Sequence, residues 1–303
     1  MGPVLAATLL AALAASLVMA RSLVRSPPTG LTIRNFRGSE IPVVGGVVVL
    51  VAVLATELVL AVARLVGPEA LSAGTVPTRS LLGSTANAGL VVVAFGFFAL
   101  GAIDDLLGRP PRPDATATPG SAAAAAKGFK GHGRALRRGV VTGGVLKAGG
   151  GGVLGLVVGA LWEQTLWAAL LDGLLIALGA NLLNLLDLRP GRASKAFLLC
   201  GIVLLFAGVG PGSLPLLCGA VVAVLVWLPL DLGERAMLGD AGANLLGGLV
   251  AGVAARELGT QSKLTIAVVL VLLTLASERW SFTVVIERTR PLRWVDGLGR
   301  LPP

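Results

Sequence analysis

The residues best suited to chemistry in this 303-residue chain are acidic residues at the ends of apolar segments and between them. They stand in three stretches: Asp104 and Asp105 in FALGAIDD, Asp187 in NLLNLLD, and Asp231, Glu234 and Asp240 in LDLGERAMLGD. Carboxylates beside many Lys and Arg suit a site for Mg²⁺ and phosphate, because Mg²⁺ takes hard oxygen ligands and the cations hold the remaining phosphate charge. A single Asp of this kind is more often a solvated residue at a helix end. Three such clusters favour a site.

Two smaller patterns support this interpretation. Asn181, Asn184 and Asp187 are spaced i, i+3, i+6, so they share one helical stripe, which should face a polar cavity rather than lipid. The stretch GDAG at 239–242 would let backbone approach a phosphate closely, although it is a weak motif alone. The single histidine, His132, lies in the basic stretch KGFKGHGR, where a solvated or phosphate-contacting role is favoured over metal ligation.

The composition shows what kind of scaffold must position these residues. The chain is 55% hydrophobic and 14% charged, with a mean hydropathy of +0.86. Soluble domains carry about 25% charged residues, and disordered chains are polar, so both classes are excluded. The 42 glycines follow no collagen repeat. The sequence therefore predicts an all-α, polytopic membrane helix bundle, because each span needs about 20 mostly apolar residues.

Apolar runs predict about nine transmembrane helices within a single domain, 1–303. The runs are Pro3–Ala20, Val43–Val66, Leu81–Ile103, Val140–Leu161, Leu166–Leu186, Ala196–Gly210, Leu214–Leu230, Ala241–Ala255 and Leu264–Ala276. Residues 110–126 are low in complexity and predict a flexible loop insert, and residues 278–303 form a basic tail. Two carboxylates, Glu57 and Asp172, fall inside predicted spans; protonation or hydrogen bonding between helices is favoured over a functional role for them.

The net charge of +9 is explained by topology. Sorting the 25 Lys and Arg residues by loop places 21 on one side of the predicted membrane and four on the other. The positive-inside rule then predicts an extracellular N-terminus, a cytoplasmic C-terminus, and all the clustered aspartates on the cytoplasmic face of the plasma membrane. No nucleic-acid partner is needed to account for the cations.

In several motifs the sequence resembles the polyprenyl-phosphate N-acetylhexosamine-1-phosphate transferases, the superfamily that includes phospho-N-acetylmuramoyl-pentapeptide transferase. NFRGSEIPVVGG is similar to its first cytoplasmic loop, FALGAIDD to its GxxDD element, and KGFKG with Lys147 to its basic loop. NLLNLLD is similar to NxxNLxDG, and MLGDAG to MGDxGS. The five motifs occur in the family's order and cover about Asn35 to Asn244.

The resemblance implies a Mg²⁺-dependent transfer, with Mn²⁺ as an alternative ion, at the cytoplasmic face. Its substrates would be a UDP-N-acetylhexosamine and undecaprenyl or another polyprenyl phosphate, and UMP would be released. It implies that Asp104, Asp105 and Asp187 are catalytic, with Asp104 and Asp105 handling the lipid phosphate and Asp187 and Asp240 coordinating the metal. The substrate-binding residues would be Asn181, Asn184, Lys130, Lys147, Arg37 and Arg279. A homodimer is compatible with the sequence, which leaves the oligomeric state open.

Departures from the family pattern support a second hypothesis. Pro190 stands where a second Asp is usual, Ala243 replaces a Ser, and a basic tail takes the place of a His motif. The alternative is therefore a catalytically impaired homologue that binds lipid-linked intermediates or acts as a membrane partner. An ion-coupled transporter using Glu57 and Asp172 ranks third, because no inverted repeat is visible.

Overall fold

The computed structural model describes residues 2–35, 37–66, 84–107 and 143–301, without the side chains of residues 84–87, 107 and 143–148. These residues form eleven helices: α1 (Pro3–Arg25), α2 (Gly45–Val66), α3 (Ser84–Leu107), α4 (Gly143–Trp162), α5 (Leu166–Leu186), α6 (Arg192–Ala207), α7 (Leu214–Leu232), α8 (Gly239–Glu257), α9 (Thr260–Ser277), α10 (Phe282–Arg288) and α11 (Arg290–Gly297). The predicted loop insert at 110–126 lies outside the described residues.

The prediction of a helical bundle is confirmed, and the apolar helices are consistent with a membrane protein. Among the described residues, six helices are long and apolar enough to cross a membrane: α1, α2, α3, α5, α7 and α9. Each of the nine apolar runs in the sequence falls largely within one of the helices α1 to α9. The part of α4 whose side chains are described, Gly149–Trp162, and the 16-residue α6 are shorter than these six, while α8 is rich in glycine and alanine and less apolar.

Local signals explain where several helices start and stop. Thr165 caps α5, its hydroxyl accepting a hydrogen bond from the Ala168 N–H at 3.4 Å. The next helix, α6, begins after Gly191 and ends before Gly208, and both glycines adopt positive φ angles of 71° and 92°. Left-handed backbone of this kind favours glycine, which explains why α6 is bounded by glycine at both ends.

Helix α8 lies at the centre of the bundle, where it packs against α2, α3 and α5. Sixteen of its nineteen residues are buried, and small side chains let neighbouring backbones approach closely. A Cβ on Gly46 of α2 would lie 2.5 Å from the backbone nitrogen of Gly242, and one on Gly247 would lie 2.7 Å from Cα of Ala180 in α5. The glycines of α8 therefore set the distance between it and its neighbours.

A short β-hairpin, which the all-α prediction did not include, precedes α2. Strands β1 (Thr32–Arg34) and β2 (Glu40–Pro42) pair antiparallel, with Ile33 opposite Ile41. The segment that follows β2 joins the segment before α8: the Met237 N–H donates to the Pro42 carbonyl at 2.8 Å. This connection places the starts of α2 and α8 side by side.

The two carboxylates predicted to lie within the membrane are both paired with cations. Asp172 of α5 is 1% exposed and lies 2.8 Å from the Lys263 ammonium of α9, which also lies 3.2 Å from Glu163. We call Glu163, Asp172 and Lys263 the ion triad. Glu57 pairs with Arg64 within α2 at 2.6 Å. Asp172 is thus hydrogen-bonded between helices, one of the two alternatives considered from the sequence, whereas the partner of Glu57 lies in its own helix.

Candidate active site

The amino end of α8 is surrounded by carboxylates from two other helices. The two carboxylate oxygens of Asp105, at the end of α3, accept the N–H groups of Asp240 and Ala241 at 3.1 and 2.9 Å. Asp187, immediately after α5, accepts the Gly239 N–H. The first N–H groups of a helix lack intrahelical partners and carry partial positive charge, so carboxylates are favourable there. Asp105 therefore has a clear positioning role in holding α3 against α8.

Asp240 itself is oriented by an amide from α5. The Asn184 side-chain N–H donates to the Asp240 carboxylate at 2.7 Å, a length typical of a hydrogen bond to a charged acceptor. One oxygen of Asp240 is thereby fixed in direction. The contact also joins the polar stripe of α5 to the start of α8, although the two residues are 56 positions apart.

Asp187 lies among three other carboxylates, and we call Asp105, Asp187, Asp231 and Asp240 the acidic cluster. Burial raises the pKa of Asp187 well above its ordinary value, and the negative charges of Asp231, Asp240 and Asp105 raise it further. Asp231, near the end of α7, is 3% exposed and accepts a hydrogen bond from the Ser194 hydroxyl at 3.1 Å. A cation bound here would relieve the repulsion within the cluster.

A cavity of about 190 Å³ opens beside the acidic cluster. The β-hairpin, the loop after α5 and the turn before α8 enclose it, and its lining includes Arg34, Asn35, Asp187, Arg189, Pro190 and Asp231. Two arginines therefore line the same space as three acidic residues, Asp187, Asp231 and Glu234. Sites for drug-sized molecules start at roughly 300 Å³, so the cavity suits one phosphate-bearing part of a larger ligand.

The close packing of α3 on α8 gives a first testable expectation. A Cβ on Gly101 would collide with the Asp240 carbonyl and lie 2.5 Å from the Ala241 nitrogen, so Gly101→Ala must push the two helices apart. We expect a loss of about 1–3 kcal/mol of stability, measured as a lower thermal unfolding midpoint in detergent. Gly149→Ala is the matched control, because a Cβ on this α4 glycine meets nothing within 4 Å. Equal midpoints for the two variants would contradict the packing.

The structure brings four of the predicted site residues together and places others nearby. Asp105, Asp187, Asn184 and Asp240 all meet at the start of α8. Asp104 and Asn181 lie on the same two helices, α3 and α5, and both are half-buried. The convergence expected from the sequence therefore occurs, while the chemical roles assigned to these residues stay predictions.

The predicted substrate-binding cations have more varied positions. Arg37 forms an ion pair with Glu234 at 2.9 Å, and the Asn35 amide donates to the same carboxylate at 3.4 Å, so these residues tie the hairpin to the turn before α8. Arg279 is exposed just after α9. Lys130 lies outside the described residues, as does the side chain of Lys147. Substrate contact by these four cations stays a prediction.

The basic tail is held beside the site by an ionic clamp, which consists of Arg192, Lys195, Asp296 and Arg300. The Arg192 guanidinium makes two hydrogen bonds, of 2.8 and 3.0 Å, to the buried Asp296 carboxylate. Arg300 adds a contact of 2.8 Å, and the Lys195 ammonium donates to the Asp296 carbonyl at 2.7 Å. Burial alone would raise the pKa of Asp296, but hydrogen bonding and charge from Arg192, with the charges of Arg300 and Lys195, bring it below its ordinary value.

Breaking the clamp should release the tail. In Asp296→Asn, the buried Arg192 loses its counter-charge, and hydrogen bonds to charged partners contribute about 1.5–3 kcal/mol each. We expect trypsin to cut after Arg288 and Arg293 at least about tenfold faster, which corresponds to about 1.4 kcal/mol of lost docking. Glu287→Gln is the control, since that exposed carboxylate lies 3.4 Å from Arg189 and should matter little. Unchanged cleavage of the Asp296 variant would show that the tail is held by other contacts.

Sequence reasoning missed the residues that join the tail to the site. Asp231 stood in an acidic stretch that the sequence analysis noted, and its position at the end of an apolar segment was the available signal. Arg192 and Asp296 are 104 residues apart, and no local pattern links them. Their pairing follows from the path of the chain after α9.

Comparison with known proteins adds no relative. No family model matches the chain, and no curated protein matches it.

Proposed function

We propose that the protein transfers an N-acetylhexosamine 1-phosphate from a UDP-sugar to a polyprenyl phosphate at the membrane surface. An oxygen of the lipid phosphate attacks the sugar-proximal phosphorus, the bond from that phosphorus to the bridging oxygen breaks, and UMP leaves with the electron pair. The product is a lipid-linked pyrophosphoryl sugar. Such a displacement needs positioning and charge neutralisation rather than covalent work by the protein.

The observation that carries this proposal is the meeting of Asn184, Asp105, Asp187 and Asp240 at the start of α8. Ordinary helix-end acids would be dispersed and solvated. Here three carboxylates from three segments converge, and Asp187 is buried among like charges. Acidic residues that lie together despite their mutual repulsion are typical of a functional site.

The chemistry of the donor groups supports a divalent cation, although among the described residues no group of three or more acidic, Cys or His side chains is arranged to hold one. Hard carboxylate oxygens of Asp187 and Asp240 are the ligands that Mg²⁺ prefers, and Asn184 orients one of the Asp240 oxygens. When bound there, Mg²⁺ would neutralise charge on the UDP-sugar phosphates. Asp105 maintains the position of α8, and Asp104, one residue earlier, is the acid proposed to meet the lipid phosphate.

Cations around the cavity suit the phosphates. Arg34 and Arg189 line the cavity beside the carboxylates, and planar guanidinium groups match phosphate oxygens in pairs. Neither belonged to the predicted substrate-binding set, in which Lys130, Lys147, Arg37 and Arg279 remain proposed contacts. Arg34 is only weakly engaged, 3.8 Å from the exposed Glu40, so it can turn toward a ligand at little cost.

We further propose that all nine helices from α1 to α9 cross the plasma membrane, with the acidic cluster on the cytoplasmic side. In this orientation, four of the 25 Lys and Arg residues lie on the extracellular side, which the positive-inside rule disfavours. Three of them are accommodated in the structure: Arg64 pairs with Glu57, Lys263 belongs to the ion triad, and Arg256 lies 5.7 Å above the ring of Trp162. Arg79, the fourth, lies outside the described residues.

The test is release of UMP by the purified protein. The assay contains Mg²⁺, undecaprenyl phosphate and a panel of UDP-sugars, with chelator added in parallel reactions. We expect turnover with at least one UDP-N-acetylhexosamine and none in chelator. Absence of turnover with every sugar would contradict the transferase proposal.

One observation favours the alternative of a non-catalytic lipid-binding homologue. Pro190 lines the cavity beside Asp187, where it can offer neither charge nor a backbone N–H. This alternative predicts retention of polyprenyl phosphate by the purified protein without UMP release. Turnover that depends on Mg²⁺ would dismiss it.

A further inference from the structure

The tail presents a cavity of its own, separate from the acidic cluster. It is open, has a volume of about 600 Å³, and is lined by Arg290, Arg293, Trp294, Gly297, Leu298 and Gly299. None of these residues belongs to the site described above. Two arginines, one tryptophan and one leucine therefore border a single, largely open space.

The ionic clamp fixes which face of α11 turns outward. Asp296 is buried against Arg192, so the remaining residues of this short helix face away from the bundle. Trp294 is 69% exposed, and Leu298 is also exposed. The helix carries Asp296 inward and its arginines and tryptophan outward, and Leu298 follows directly after it, so basic and apolar side chains share the outer surface, as they do in segments that lie at a membrane interface.

The arginines of this cavity differ from those of the clamp. Arg192 and Arg300 have carboxylate partners, whereas within the described residues neither Arg290 nor Arg293 has an ion-pair partner. The described part of the chain thus leaves these two positive charges without an ion-pair partner. A ligand with one negative charge and hydrogen-bond acceptors, such as a phosphate group, would complement them.

The position of the cavity identifies the source of that phosphate. The tail begins directly after α9, a helix apolar enough to cross a membrane, and Gly299 lies against Leu232 at the end of another, α7. A Cβ on Gly299 would lie 3.0 Å from the Leu232 side chain. The cavity therefore lies at the level where two membrane helices end, which is where lipid headgroups are found. Tryptophan and arginine are both favoured at that level.

We propose that Arg290, Arg293 and Trp294 bind the phosphate headgroup of an anionic membrane lipid. The guanidinium groups hold the phosphate, the indole ring lies at the headgroup level, and Leu298 contacts the start of an acyl chain. The site is independent of the transferase reaction. It anchors the tail from its outer side while the ionic clamp holds it from the inner side.

The test uses the full-length protein in phosphatidylcholine nanodiscs that contain a trace of photoreactive lipid. The probes are photoreactive phosphatidylglycerol and photoreactive phosphatidylcholine with the same chains, and crosslinked peptides are mapped by mass spectrometry. We expect crosslinks within 290–299 to be at least about tenfold more frequent with the anionic probe, because each arginine near a charged surface adds about a fivefold preference.

Two double variants make the test specific. Arg290→Gln with Arg293→Gln should reduce anionic crosslinking within 290–299 at least about tenfold, and an unchanged unfolding midpoint will show that the variant folds. Arg21→Gln with Arg25→Gln removes the same charge from exposed residues at the end of α1 and should leave those crosslinks unchanged.

Three outcomes would overturn the proposal. The first is equal crosslinking by both probes, and the second is an equal loss in the two double variants. The third is displacement of the anionic probe by millimolar inorganic phosphate or UMP, which would assign the cavity to a soluble phosphate instead. Because none of these measurements requires turnover, failure of the transferase proposal would leave the result interpretable.

Discussion

Replacing Asp187 with Asn should lower UMP-forming turnover by about a hundredfold to a thousandfold, the range typical for loss of a group that stabilises transition-state charge. The same variant should unfold at the wild-type temperature or above it. The combination matters because most substitutions of buried polar residues reduce stability. An acid retained at a cost in stability is retained for function.

The physical reason lies in the surroundings of Asp187. Burial and the negative charges of Asp231, Asp240 and Asp105 make its ionised form unfavourable and raise its pKa. Asn keeps the shape and can still accept the Gly239 N–H through its amide oxygen, but it carries no charge. The substitution therefore relieves repulsion while it removes a proposed metal ligand.

Turnover is measured with saturating Mg²⁺, and the unfolding midpoint is measured in chelator, so that bound metal does not mask the repulsion. Glu40→Gln is the control, since it removes an exposed carboxylate from the hairpin near the same end of the bundle. An Asp187→Asn variant with normal turnover would contradict the proposed site. A variant that is inactive but strongly destabilised would indicate a structural role instead.

Lys263→Met should destabilise the protein by about 3–5 kcal/mol, because it leaves Asp172 buried without its counter-charge. Lys263 and Asp172 are 8% and 1% exposed, so water cannot replace the lost ion pair. The expected measurement is an unfolding midpoint lower by on the order of 10 °C.

The paired variant Lys263→Met with Asp172→Leu is the decisive control. Buried ion pairs replaced by apolar residues of similar volume are often as stable as the original, so most of the loss should be recovered. Turnover should also be retained, since Asp172 lies about 22 Å along α5 from Asp187 at 1.5 Å per residue. Recovery of stability with loss of turnover would indicate that the ion triad has a functional role.

The helices themselves could be predicted because the signal for them is local. A membrane span is a run of apolar residues, and each run in the sequence corresponds to a helix in the structure. The hairpin could not be predicted in the same way. Its three-residue strands are too short to carry a pattern, and Met237, from far along the chain, ties the end of β2 to the start of α8.

The sequence could predict which residues form the candidate site, but it could not predict how they contact one another. Asp105 and Asp187 end helices that run in the same direction, and Asp240 begins a helix that runs back, so these three residues could be grouped at one end of the bundle from sequence. That Asp105 uses both oxygens on backbone N–H groups of α8 could not be known, because it requires Gly101 to let α3 approach closely. Arg37 illustrates the same limit: its pairing with Glu234 depends on a turn 197 residues away.

The sequence by itself determined that the protein is a helical membrane protein. It also determined which charged residues lie at one end of the bundle. Hydrophobic burial and charge placement act over a few residues or one helix, so composition and periodicity are enough to reveal them. The tertiary structure decided which of those charges neutralise one another. Arg192 forms an ion pair with Asp296, and Lys263 forms one with Asp172. Asp187 lies among like charges, and no described residue forms an ion pair with Arg290 or Arg293. Ion pairing is set by distances of a few ångströms between segments that only packing brings together.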